Sequence, residues 1–238
     1  MSLIIRNARV LQTTPAGEVR ILDQQEVVIR GNAIESVRPA TAAPPPDAGE
    51  IIEANGQLLM PGLINCHSHV PMVIFRGLAE DVSLEKWFNE YMWPLESNLQ
   101  EEDVYWGMLL GLAEMIEAGV TCAADHYFFM DRAAEAVRQA GTRAALGWAV
   151  FGSQGAAMLD RTAEFCRKWH GAAEGRLTAW MAPHAPYTCD DDFLRAARDR
   201  AADLGVGLHI HVAETRGQTE AHVQKRGITP IRLLDDLG

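Results

Sequence analysis

Apolar residues come in short runs over the first sixty positions and in longer, regularly spaced runs after them. Residues 3–10 are rich in isoleucine and valine and predict a strand. Val27-Val28-Ile29-Arg30, then Gly31-Asn32, then Ala33-Ile34-Glu35-Ser36-Val37 read as a hairpin with its turn. Residues 42–49, with three consecutive prolines, read as a loop, and residues 51–54 as another short strand. This spacing predicts a small β module over residues 1–58, followed by a second region over 59–238.

In the second region the rhythm becomes strand, loop, helix. Strands are predicted at 58–65, 120–126, 143–151, 177–182 and 206–212. Between the first two, residues 70–100 form a long polar and aromatic connection. Helices are predicted at 101–118, with Asp103 and two glutamates near the start and Gly119 at the end. Others fall at 131–140 before Gly141, at 159–171, and at 191–204 before Gly205, with helical sequence after 212. Repeated β-α units of this spacing imply an α/β fold with a parallel sheet and crossover helices. An α/β barrel and a doubly wound sheet both satisfy the periodicity. No G-x-G-x-x-G turn follows a strand, which disfavours a dinucleotide site.

Composition narrows the classes. The 238 residues are 48% hydrophobic, enough for a sizeable core, and carry a formal charge of −11 with no lysine- or arginine-rich run. Nucleic acid and anionic membrane surfaces are therefore not expected partners. Cys66, Cys122, Cys166 and Cys189 are widely spaced and form no C-x-x-C, against a zinc-finger site or a disulfide framework. The start, Met-Ser-Leu-Ile-Ile-Arg, lacks a signal-peptide pattern, and no apolar run reaches the ~20 residues of a membrane span. The expected setting is a reducing cytoplasm.

The candidate chemistry clusters at the C-terminal ends of the predicted strands, the active face of parallel α/β barrels. His67 and His69 end the first one, an apolar run read as a buried strand over 58–65. Alternate residues share a face of a strand, so the two imidazoles point together and make half of a metal site. His211, on the fifth, is the best third ligand. His209 shares its face but lies deeper, and is read as a hydrogen-bonded core histidine. Glu214 follows at or past the strand end, where a carboxylate can act as acid/base beside a metal-activated water without ligating. His184, in Pro183-His184-Ala185-Pro186-Tyr187, is read as a substrate contact or polarising group. His126 ends the second strand, either in the site or packed beneath it, and His170 and His222 are read as surface residues. The only lysines, Lys86, Lys168 and Lys225, are not at strand ends, so a single metal is favoured over a lysine-bridged pair. The H-x-E with P-C-x-x-C pattern of cytidine-type deaminases is absent.

These motifs together resemble the amidohydrolase superfamily, in the branch of 5-methylthioadenosine/S-adenosylhomocysteine deaminases and triazine chlorohydrolases. Met60-Pro61-Gly62-Leu63-Ile64-Asn65 with His67-Ser68-His69 is similar to that branch's first-strand motif. Trp93-Pro94-Leu95-Glu96, after Leu84-Glu85-Lys86-Trp87, resembles its substrate-covering segment. Pro183-His184-Ala185-Pro186-Tyr187 and His211-Val212-Ala213-Glu214-Thr215 resemble its fourth- and fifth-strand motifs. The resemblance implies a (β/α)8 TIM-type barrel, of which this sequence covers the first five β/α units, preceded by a β-sandwich portion. It implies one divalent metal, zinc or alternatively iron, held by His67, His69 and His211. Glu214 would be the proton shuttle, Glu96 would meet ribose hydroxyls, His184 would lie against the substrate, and Trp87 would pack on its ring. The implied enzyme is a hydrolytic aminohydrolase of cyclic amidine C–N bonds in a purine nucleoside-like or related N-heterocycle: hydroxide attacks the ring carbon, Glu214 protonates the ring nitrogen, and ammonia leaves. Homo-oligomerisation is an option that the motifs do not decide.

Two departures modify that expectation. Branch deaminases often carry an arginine near the end of strand three, where this chain reads Leu146-Gly147-Trp148; that weakens the case for a substrate with an anionic tail. The branch also supplies a sixth-strand histidine and an eighth-strand metal-binding aspartate, which lie beyond Leu237-Gly238. The expectation is therefore little or no turnover by these residues alone. The alternatives are a chlorohydrolase or guanine-type deaminase, or a non-catalytic half-barrel completed by a second polypeptide.

Overall fold

The computed structural model describes residues 2–41 and 49–238. The predicted proline loop at 42–49 falls almost wholly outside the described residues. The chain divides into two compact units, Met1–Gly62 and Leu63–Gly238. Among the described residues, no helix is long and apolar enough to cross a membrane.

The first unit is a five-stranded sheet of β1 (Ser2–Thr13), β2 (Val19–Arg30), β3 (Ala33–Pro39), β4 (Glu50–Glu53) and β5 (Leu58–Leu59). The order is β3-β2-β1-β4, with β5 also on β1. The predicted hairpin closes with Arg30 opposite Ala33, and Gly31 supplies the positive φ that the turn requires. Along β1, Ile4, Arg6, Ala8 and Val10 are buried, a period of two. Arg6 survives there because Glu26 of β2, also buried, lies 3.6 Å from its Nε and is gripped by Arg38 at 2.7 Å. The described residues of this unit form one sheet, so the facing sheet of the expected sandwich is not seen among them.

The second unit carries a parallel sheet in the order β6 (Leu63–Ser68), β7 (Val120–Tyr127), β8 (Arg143–Val150), β9 (Leu177–Pro183). Helices α3 (Glu101–Glu117), α4 (Met130–Ala140) and α5 (Gly155–Trp169) make the connections, the last followed by the four-residue turn α6 (Ala172–Gly175). Then α7 (Asp191–Leu204), α8 (Arg216–Arg226) and α9 (Pro230–Leu237) follow β9. The core lies between sheet and helices, with Met108, Leu112, Met130, Val137, Leu146 and Leu159 fully buried.

Three expectations are corrected. The predicted strand 58–65 is two strands: Leu58–Leu59 pairs with β1, and Leu63–Ser68 belongs to the second unit. Pro61 has no N–H and cannot carry a ladder across the gap. Nor is β6 buried: it pairs on one side only, and Leu63 and Ile64 are 49% and 65% exposed. The predicted fifth strand shrinks to one bridge, Met181 to Leu208. Met181 N–H donates to Gly207 O at 3.1 Å and His209 N–H to Met181 O at 2.8 Å. The next donor along β9 would be Pro183, which has none, so regular pairing stops. The connection over residues 70–100 is locally ordered. It holds a 3-10 turn (Val70–Phe75), a short helix α1 (Leu84–Lys86) capped by the Ser83 side chain, a π-helical stretch (Trp87–Met92) and α2 (Trp93–Glu96).

Candidate metal centre and pocket

The end of β6 is shaped by its own side chains and by β7. Asn65 Oδ1 accepts from His67 N–H at 3.2 Å, and the Ser68 hydroxyl donates to Ala124 O at 2.8 Å. A register irregularity between Asn65 and Ser68 breaks strict alternation there. His69 Nδ1 lies 2.5 Å from His126 O. A carbonyl can only accept, so Nδ1 carries the proton and Nε2 keeps an open lone pair.

From the other edge, the segment after β9 brings His211, whose N–H donates to His184 O at 2.9 Å. One ligand nitrogen from each of His67, His69 and His211 lies within 4.8 Å of the others. Ring centroids are 5.6 Å apart for His67–His69, 5.1 Å for His67–His211 and 5.0 Å for His69–His211. Burial, then the neighbouring imidazoles, hold His211 down to about 3. Burial also lowers His69. Such rings are neutral at pH 7 and offer lone pairs, which suits a divalent cation.

Ala213 sits at φ +53°, a left-handed conformation that turns the chain between His211 and Glu214. Glu214 Oε1 then lies 3.8 Å from His211 Nδ1. Its Oε2 accepts from the Tyr187 hydroxyl at 2.9 Å and from Gln218 Nε2 at 3.3 Å. Thr215 caps α8 immediately after it.

One pocket gathers His69, His211, Glu214, His184, Glu96 and Trp87. His67 joins through the histidine triad. Its remaining wall is largely aromatic, including Phe88, Trp93 and Phe151, and no lysine or arginine is among its lining residues. His184 stacks on Phe151 at 4.5 Å, is hydrogen-bonded to Thr188 Oγ1 at 3.0 Å, and is held down to about 4 by burial. Burial raises Glu96, opposed by a 2.8 Å hydrogen bond from the Tyr127 hydroxyl. A second cavity, about 290 Å³, is lined by residues that include Tyr187, Lys225 and Arg226 and by none of the triad.

Two histidine readings change. His209 is half-buried, and its Nδ1 is buried without a hydrogen-bond partner, so it is not the satisfied core histidine expected. A Cβ at Gly147 would lie in ordinary contact with that nitrogen, at 3.6 Å, but only 2.7 Å from Ala182 Cβ, so the glycine serves the packing of β8 on β9. His222 is half-buried rather than on the surface. His126, weighed evenly from sequence, is 1% exposed, with Nδ1 at 3.1 Å from His211 Nε2 and Nε2 at 3.3 Å from Ala182 O. Sequence reasoning did not single out Asp125, Tyr127 or Tyr187. The first two also end a strand on the chemical face, a signal that marks position but not partner.

Comparison with known proteins fits this picture. The amidohydrolase family model matches residues 58–238. A 5-methylthioadenosine/S-adenosylhomocysteine deaminase of Pelotomaculum thermopropionicum is 43% identical over 240 residues, covering 100% of this chain and 55% of the relative. The solved structure of an adenosine deaminase from Xanthomonas campestris, with bound zinc, aligns at TM-score 0.82 and 30% identity over 99% of this chain and 55% of its own. Atrazine chlorohydrolase from Arthrobacter aurescens, complexed with zinc, aligns at TM-score 0.85 and 22% identity, which speaks to fold alone; the alignment covers 99% of this chain and 58% of that one. The chain spans about half the length of the relatives it matches.

Proposed function

The chain belongs to the amidohydrolase family, and we propose that its site is that of a metal-dependent hydrolytic deaminase of a purine nucleoside-like N-heterocycle. The observation that carries this reading is the triad of imidazoles with ligand nitrogens within 4.8 Å, and a carboxylate 3.8 Å from one of them. His67, His69 and His211 would hold the cation, zinc being the ion in the two zinc-bound structures above. When bound, a divalent ion supplies Lewis acidity that lowers the pKa of water from ~15.7 to about 7.

The chain's own residues do the rest. Glu214 is the proton shuttle, taking a proton from the nucleophilic water at Oε1 and delivering it to the ring nitrogen. Tyr187 and Gln218 hold its Oε2, which leaves Oε1 on the triad side. Glu96, poised by Tyr127, accepts from substrate hydroxyls. Trp87 covers the ring and His184 lies against it. A wall with two carboxylates and no lysine or arginine favours an uncharged heterocycle over one with an anionic tail. The relatives' names point the same way for the chemistry: a methylthioadenosine/adenosylhomocysteine deaminase and an adenosine deaminase.

The first unit is proposed as part of a β-sandwich module and the second as a portion of a TIM-type barrel. With three histidine ligands and no fourth protein ligand grouped with them among the described residues, these 238 residues are expected to turn over slowly by themselves. The test is a zinc titration followed by an ammonia assay on methylthioadenosine, adenosine, S-adenosylhomocysteine and guanine, with chloride release from a chlorotriazine measured in parallel. One equivalent of zinc, lost in His211→Ala, supports the metal site. Ammonia from adenosine-like substrates, rising when a polypeptide carrying the remaining family ligands is added, supports the deaminase. Chloride release instead would favour the chlorohydrolase, and zinc binding with no chemistry in any mixture would favour a non-catalytic module.

A further inference from the structure

Two acceptors at the end of β7 grip the chain on either side of His69. Asp125 Oδ1 accepts from Val70 N–H at 2.7 Å, and the Ser68 hydroxyl oxygen lies 3.4 Å from it. The carbonyl of the next residue, His126, accepts a hydrogen bond from the His69 Nδ1–H. Asp125 is fully buried, and its Oδ2 has no hydrogen-bond partner. A buried carboxyl with one bare oxygen opposes folding, and an apolar side chain would pack there at less cost. What the carboxyl offers and an apolar side chain cannot is an acceptor for Val70.

Val70 opens the 3-10 turn Val70–Phe75, and the first N–H groups of a helical turn have no acceptor within it. The residue at the cap position is His69, whose side chain makes no capping hydrogen bond. A serine or aspartate at that position would ordinarily supply one. Here the cap position is taken by an imidazole needed elsewhere, and the cap comes from across the sheet.

We infer that Asp125 is a positioning residue for the metal centre: by capping the Val70–Phe75 turn from β7, it holds His69 with its Nε2 free to ligate. The inference rests on the metal reading proposed above. The anchor needs only an oxygen lone pair, and burial pushes the Asp125 carboxyl up to about 7, so full charge is not required. An asparagine, which keeps an acceptor oxygen, serves nearly as well.

Zinc affinity of the chain, read by chelator competition, tests this without any activity assay. Asp125→Ala is expected to weaken zinc binding about 10- to 100-fold, the usual effect of removing an outer partner of a ligand. Asp125→Asn is expected to stay within about threefold of the unaltered chain, because the amide oxygen still accepts from Val70. Val70→Pro, which deletes the donor at a position where proline suits the turn, is expected to match Asp125→Ala and covers the case in which the alanine variant does not fold. A folded Asp125→Ala or Val70→Pro that binds zinc as tightly as the unaltered chain overturns the inference. So does an Asp125→Asn as weak as the alanine variant. His211→Ala is the control: if the unaltered chain binds no better than His211→Ala, the metal reading itself falls; if it does bind better, only the role of Asp125 is at stake.

Discussion

His126 Nδ1 stands 3.1 Å from His211 Nε2, deep in the second unit, while the other nitrogen of His126 faces the Ala182 carbonyl at 3.3 Å. The carbonyl accepts, so His126 keeps its proton on Nε2 and presents a lone pair to His211. Replacing His126 with leucine leaves the buried His211 Nε2 without its partner. His126→Leu is expected to lower the unfolding free energy of the metal-free chain by about 1–3 kcal/mol. Urea unfolding measures it, and a change inside about 0.5 kcal/mol, the range of an ordinary surface substitution, would show that the contact contributes nothing.

The buried titratable groups predict a pH dependence with opposing parts. His184 and His209 are held down to about 4 and His211 to about 3, each chiefly by burial. Below about 6.5 the unfolded chain protonates these rings and the folded chain does not, so their contribution is lost as the pH falls toward 4. Asp125 runs the other way. Its carboxyl is raised to about 7 by burial, so its contribution is full below about 4 and is lost as the pH rises through 7. Three groups outweigh one, and the metal-free chain is expected to weaken on acidification from about 6.5 to about 4. Asp125→Asn removes the opposing part and steepens that loss by up to about 1.4 kcal/mol per pH unit. Urea midpoints at several pH values decide it; a shallower slope in the variant would contradict the assignment.

Zinc is expected to stabilise the chain by about 2.7 kcal/mol at a free concentration one hundred times its Kd, and EDTA to reverse this. Thermal unfolding with and without zinc is the measurement. The stabilisation should vanish in His67→Ala, His69→Ala and His211→Ala alike, since one nitrogen from each lies in the cluster. Retention of the full shift in any one of them removes that residue from the site.

Helix α3 approaches the turn after His69 through two glycines. A Cβ at Gly107 would sit 2.5 Å from Pro71 O, and one at Gly111 would sit 2.5 Å from Val70 Cγ1. Gly107→Ala and Gly111→Ala are each expected to destabilise by about 1–3 kcal/mol, because forced overpacking outweighs alanine's roughly 1 kcal/mol helix advantage. Gly217→Ala in α8, where nothing lies within 4 Å of the added carbon, should instead stabilise by up to about 1 kcal/mol. Thermal or urea unfolding of the three variants separates the two effects. Equal stabilisation by all three would mean that the helix does not bear on the turn.

Much of this was legible from residue order. Glycines 119, 141 and 205 ended helices where expected, since each sits at a positive φ that other residues resist. His67, His69, His211 and Glu214 were singled out by strand-end position and spacing, and the structure brings them together. The fifth strand was not legible, because Val206–Val212 carries a strand pattern while its failure to pair fully is caused by a proline on a different strand. The burial of β6 was overestimated for a similar reason: Leu63 and Ile64 are apolar, but exposure depends on what lies beside the strand.

By itself, the sequence determined the α/β alternation, the glycine stops of three helices and the residue types able to bind a cation. Those properties are local: side-chain period, capping chemistry and proton affinity depend on a few neighbouring positions. Tertiary structure decided which nitrogen of His69 is free, that Asp125 reaches Val70, and that Tyr187 holds Glu214. Those depend on distances between residues tens of positions apart, which are set only when strands pair and helices close on them.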